Sequence, residues 1–107
     1  MAPREIYNVV KLVPKPGKFN EVVAAFNAFS QHIRDHEHGT HVYLALRPTD
    51  KDELILVEKY ADGDSLKAHM ATSQFKQFSR AVGPCLAQAP EIRSASFVGG
   101  LEGRSKL

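Results

Sequence analysis

His69 and Asn8 are polar side chains on faces that are otherwise apolar, and that placement makes them candidates for chemistry. Leu66, His69 and Met70 fall at i, i+3 and i+4, one stripe of a helix. An imidazole in such company is partly desolvated, and its neutral form is a competent base near pH 7. The same ring can instead be structural, bonded to a strand carbonyl or to Glu58. Asn8 shares a strand face with Ile6, Val10 and Leu12. It can bond a substrate oxygen or a developing oxyanion, or be a barrel-facing amide in a dimer network. Tyr43 and Tyr60 can donate from their phenols, or lie in the core with the hydroxyl at its rim. Glu58 can orient His69, or form a surface ion pair with Arg47 or Lys59. Arg93 suits an anionic substrate, and equally a salt bridge across a dimer. Phe75 and Phe78 can wall a pocket while serving as core, as can Phe26 and Phe97.

Two further patterns invite chemistry and carry less. His36, His38 and His41 form HEHGTH, which has the look of a metal set. It has no second cluster with partner spacing, and a fraying helix end followed by a strand start aims the rings in different directions. No metal ligands are therefore expected. Cys85 has no histidine beside it in sequence and offers only a weak case for a nucleophile.

The elements that position these residues can be read from periodicity. Glu5 to Val13 predicts a first strand with Ile6, Asn8, Val10 and Leu12 on one side. Its other side is also largely apolar, so both sides should be covered. Pro14 and Pro16-Gly17 end it. Phe19, Val22, Val23, Phe26, Phe29 and Ile33 then repeat at helical spacing, and Gly39 stands where a C′ residue would close the helix. Thr40 to Arg47 predicts a second strand, joined by the turn residues 48–52 to a third from Leu54 that carries Glu58 and Tyr60. Asp62 or Asp64 can cap the next helix, and Thr72 or Ser73 a following one with Phe75, Phe78 and Val82 on its stripe. Glu91 to Val98 alternates as a fourth strand.

The order β-α-β-β-α-β is the ferredoxin-like α+β arrangement, a four-stranded antiparallel sheet with helices on one face. It places residues 1–98 in one domain and leaves Gly99 to Leu107 as a flexible tail. Because the strands are apolar on both faces, the uncovered face should meet a second copy, giving a homodimer with the sheets face to face.

Composition narrows the class. Across 107 residues, 43% hydrophobic and 24% charged content is that of a folded domain. A net charge of +2 with scattered Lys and Arg leaves nucleic acid no electrostatic footprint. The single cysteine excludes an internal disulfide and suits a reducing compartment. No apolar run reaches the length of a membrane span, and Met1 to Asn8 lacks the apolar core of a secretory leader. The final Ser105-Lys106-Leu107, preceded by Arg104, is the peroxisomal address read at a free carboxyl terminus. It implies a peroxisomal import receptor as partner, a peroxisomal location and a eukaryotic source.

Several short motifs together are similar to the antibiotic biosynthesis monooxygenase (ABM) domain family. They are Glu58 ending the third strand, Asp64-Ser65-Leu66-Lys67-Ala68-His69 opening the next helix, and Ser73 to Phe78 continuing it. Pro16-Gly17, Gly39 and Pro90-Glu91-Ile92 fit as well. The resemblance implies a dimeric α+β barrel with a pocket in each subunit between sheet and helices. It further implies cofactor-free oxygenation of a phenol, anthrone or quinol, although other members degrade haem or isomerise small sugar phosphates. The chain has no Trp, which family oxygenases often place near the pocket. Phe75 to Ser79 has no His, which disfavours haem degradation.

The expected function is thus a cofactor-independent monooxygenase acting on a small aromatic, quinol or polyketide-like phenol. His69 and Asn8 would be catalytic, with Tyr43, Glu58, Tyr60, Phe75, Phe78 and Arg93 binding substrate. For such a reaction the protein must help deprotonate the substrate, so that an electron-rich anion meets oxygen. The alternatives are a module that binds or sequesters a small apolar molecule, and an isomerase or lyase with the same pocket.

Overall fold

The computed structural model describes residues 4–104; Ser105-Lys106-Leu107 lie outside the described residues. Strand β1 (Ile6–Leu12) leads to helix α1 (Phe19–His36), and β2 (Thr40–Leu46) and β3 (Leu54–Tyr60) follow as a hairpin. Helices α2 (Gly63–Ala71) and α3 (Ser73–Val82) come next, then a 3₁₀ turn at Gly83–Cys85 and β4 (Glu91–Ala95). The four strands pair antiparallel in the order β2-β3-β1-β4, the expected ferredoxin-like α+β fold. Among the described residues no helix is long and apolar enough to cross a membrane.

Alternation divides the sheet as the strand periodicity demands. Val10, Leu12, Leu54 and Leu56 face the helices and are buried with Val22, Phe26 and Val82. On the other side Val9, Leu44 and Leu46 are 40%, 41% and 55% exposed, so that face is apolar and bare in the single chain. No side chain caps the start of α1 at Lys18. A cap contributes about 1 kcal/mol, whereas each fully buried Val, Phe or Ile contributes roughly 1.5–3. Burial of Val22, Phe26, Phe29 and Ile33 is therefore what holds α1.

Three local expectations need revision. Gly39 does not close α1: the cap residue is Glu37, and Gly39 lacks a positive φ. It is glycine because α2 passes so close that a Cβ there would collide with the Ser65 side chain. Strand β4 stops at Ala95 rather than Val98, and Phe97 instead stacks on Tyr7 at 6.4 Å. Met70 is half exposed, because α2 ends at Ala71 before its stripe can extend. Beyond β4, Glu102 accepts hydrogen bonds from Lys59 Nζ at 2.8 Å and from the Tyr7 hydroxyl.

Candidate active site

The cavity lies between the inner sheet face and helices α2 and α3, with a volume of about 310 Å³. Its floor is set by strand register. Tyr43 pairs with Glu58, Glu58 with Asn8, and Asn8 with Ser94, so one polar row crosses all four strands. Below it Val10 and Leu56 give the floor an apolar half, and Leu66, Phe75 and Phe78 form the opposite wall.

His69 reaches this space because α2 breaks two residues later. Thr72 is extended (φ −72°, ψ 150°), and its side chain accepts from Phe75 N at 3.0 Å to cap α3. The Thr72 hydroxyl also donates to the His69 carbonyl at 3.0 Å. His69 is thereby fixed at the helix–helix joint, 3% exposed. Its ring is packed among Phe29 (5.1 Å between centroids), Tyr60 (5.1 Å), Phe75 (5.4 Å) and Tyr43 (5.8 Å). Its Nδ1 lies 2.7 Å from Glu37 Oε1.

Asn8 and His69 line the same cavity. The Asn8 Oδ1 accepts from Ser94 Oγ at 2.8 Å, which leaves its amide NH₂ as the donor. Tyr60 is fully buried and donates to Glu58 Oε1 at 2.6 Å. It stands behind the cavity wall rather than on it. Glu58 is neither a surface ion pair nor the partner of His69. It is 6% exposed, and burial pushes its carboxyl above the ordinary carboxylate range. The Tyr60 hydroxyl, the His69 ring and the Asn8 amide pull the other way without reversing the shift. Arg47 pairs with Asp52, and Lys59 with Glu5 and Glu102.

Burial, followed by the charges of Glu58 and Glu37, raises the phenol pKa of Tyr43; burial, followed by Glu58, raises that of Tyr60. Both stay protonated, so each keeps an O–H to donate, and that of Tyr60 goes to Glu58. Arg93 does not reach the cavity. It pairs with Val9, so register puts it on the bare face. Phe75 and Phe78 are cavity wall and Phe26 is core, while Phe97 lies outside on Tyr7. Cys85 is buried, and burial and Glu21 raise its thiol pKa, which disfavours the thiolate. Among the described residues no three His, Cys, Asp or Glu side chains come together to hold a metal ion.

Glu37 is the site residue that sequence reasoning passed over. It stands inside HEHGTH, where the histidines drew notice, and it is Glu37 that turns inward. The signal was present: with Asp35 it is one of two acids at the end of an amphipathic helix, where the macrodipole disfavours them.

The arrangement is a ring nitrogen, an amide donor and a phenol donor around a mostly apolar space, the makings of a base and an anion cradle. Comparison with known proteins gives the family. The antibiotic biosynthesis monooxygenase family model matches residues 5–81, and the chain belongs to that family. A candidate antibiotic biosynthesis monooxygenase from Caulobacter crescentus CB15 superposes with a TM-score of 0.85 at 32% identity, over 91% of this chain and 92% of that one. A candidate monooxygenase of the same kind from Bacteroides thetaiotaomicron matches at 0.85 and 21% identity, covering 94% and 97% of the two chains. Rv0793 from Mycobacterium tuberculosis matches at 0.83 and 20%, covering 90% and 97%. No curated protein matches the chain.

Proposed function

We propose that this protein is a cofactor-independent monooxygenase that oxidises a small anthrone, quinol or polyketide-like phenol, as a homodimer and in the peroxisome. The observation that carries the reading is that His69 and Asn8 share one largely apolar cavity. His69 takes the acidic proton of the substrate. The anion that results is held by the Asn8 amide and the Tyr43 hydroxyl, while Leu56, Phe75 and Phe78 contact its rings. Dioxygen accepts electrons from that anion, one oxygen atom enters the ring and the other leaves as water.

Size supports the substrate class. A space of about 310 Å³ is at the lower end for small-molecule pockets. It shares Leu12, Phe78, Ser79 and Pro90 with a shallower groove of about 530 Å³, so a fused polycycle can extend along α3. The bare apolar face of Val9, Leu44 and Leu46 supports the dimer. Ser105-Lys106-Leu107 supports the location.

The test is oxygen consumption by metal-stripped protein presented with 1,8-dihydroxyanthrone and a panel of quinols. Uptake coupled to quinone formation supports oxygenation. Saturable binding with no product would make the protein a sequestering module, and conversion without oxygen would make it an isomerase or lyase.

A further inference from the structure

The carboxylate of Glu37 is buried, and of its two oxygens only one is spoken for. Oε1 meets His69 Nδ1 at 2.7 Å and accepts from Thr40 Oγ1 at 3.0 Å. Oε2 is buried with no hydrogen-bond partner among the described residues, and its nearest basic neighbour is His32 Nε2 at 3.6 Å. A buried carboxylate oxygen without a donor is costly enough to require a reason. The Glu37 side chain is 10% exposed and that of His32 18%. The His32 ring lies tilted against that of His36 at 5.0 Å between centroids, and His36 is exposed. All three line a cleft of about 360 Å³ that shares only His69 with the substrate cavity.

We infer that Glu37 is a positioning residue that fixes the tautomer of His69 and, with His32, conducts the proton taken from substrate out through the cleft. This rests on the reading of His69 as the base. A carboxylate on Nδ1 holds the proton there and leaves Nε2 as the acceptor. When substrate gives a proton to Nε2, the imidazolium gives up the one on Nδ1 to Glu37 Oε1. The neutral Glu37 carboxyl then rotates to turn that proton toward His32 Nε2, which takes it and releases a proton to water in the cleft. One proton enters and one leaves; His69 is left protonated on Nε2, and a flip of its ring restores the Nδ1 form before the next turnover. The span from Oε2 to His32 is longer than a hydrogen bond in the resting protein, and such contacts commonly tighten when substrate is bound. The gain is a dry substrate cavity, since the proton departs by the back wall rather than past the anion.

Two readouts test this. The ring nitrogens of His69, followed by long-range ¹H–¹⁵N spectra of the protein alone at pH 8, report the tautomer. Wild type should carry the proton on Nδ1, and Glu37→Ala should shift it to Nε2, the form the free histidine side chain favours. Glu37→Gln, nearly the same shape, should keep the proton on Nδ1 yet lose on the order of 10²-fold in kcat for oxygen uptake with 1,8-dihydroxyanthrone, KM being little changed. His32→Gln should slow turnover, and its kcat should rise with imidazole concentration while that of wild type does not. A wild-type proton on Nε2, or a tautomer indifferent to Glu37→Ala, overturns the positioning role. Full activity in Glu37→Gln and His32→Gln, whatever the buffer, overturns the exit route. Should no probe be turned over by wild type, the monooxygenase reading falls alone, because the ring spectrum still decides Glu37 without substrate.

Discussion

The Tyr60 hydroxyl donates to Glu58 Oε1 at 2.6 Å, and both side chains are buried beneath the candidate active site. Burial raises both the phenol and the carboxyl pKa, so charge on this pair is costly, and their hydrogen bond holds the polar row in place.

Stability should therefore fall as pH rises through the range in which Glu58 ionises. The folded protein retains this proton above the unfolded value near 4.5. Between that value and the raised folded pKa the native state binds more protons than the unfolded chain, so unfolding free energy declines with pH and then levels off. Glu58→Gln mimics the protonated acid and should remove this part of the slope. Urea titrations of both proteins from pH 4 to pH 8 measure it. Parallel pH profiles would refute the assignment.

Gly39→Ala should destabilise the fold by about 1–3 kcal/mol, the cost of forcing a methyl into a packed contact. The Cβ would stand 2.7 Å from the Ser65 Cβ. Ser65→Gly keeps the backbone N–H that Asp62 caps at 2.8 Å, so the double variant should recover most of the loss. Thermal melts of the two single variants and the double check this.

The fold was legible because period-2 and period-3.6 patterns are local properties of the chain. The inner face of β1, the buried stripe of α1 and the Thr72 break all follow from residue types within one or two turns. The Asn8–Glu58–Tyr43 row was not legible, since it depends on the register between strands that are distant in sequence. Nor was the Glu37–His69 contact, which joins residues 32 positions apart. Gly39 misled for a related reason: a glycine after a helix resembles a stop signal, while its cause here is a neighbour from another element. Of the two roles open to Arg93, its pairing with Val9 puts it on the bare face, where it does not reach the cavity and a salt bridge across a dimer still fits.

Leu44→Lys should leave the protein monomeric. Leu44 lies on the bare sheet face, 41% exposed in the single chain, beside Val9 and Leu46. Sedimentation equilibrium of wild type should give twice the chain mass, and the variant the chain mass. A wild-type monomer at all concentrations would contradict the dimer.

A fluorescent protein ending in residues 98–107 should enter peroxisomes of a eukaryotic cell, and removal of Leu107 should return it to the cytosol. Diffuse fluorescence from the intact fusion would refute the address read from Ser105-Lys106-Leu107.

The central claim is that His69, buried against Phe29 and Phe75 and held by Glu37, removes the substrate proton. Initial rates of oxygen uptake with 1,8-dihydroxyanthrone, measured for wild type and His69→Gln at matched folded concentration, test it most directly. The account predicts that the variant loses about 10²–10⁴-fold in kcat, the usual worth of a positioned base. A His69→Gln protein that consumes oxygen as fast as wild type would contradict it.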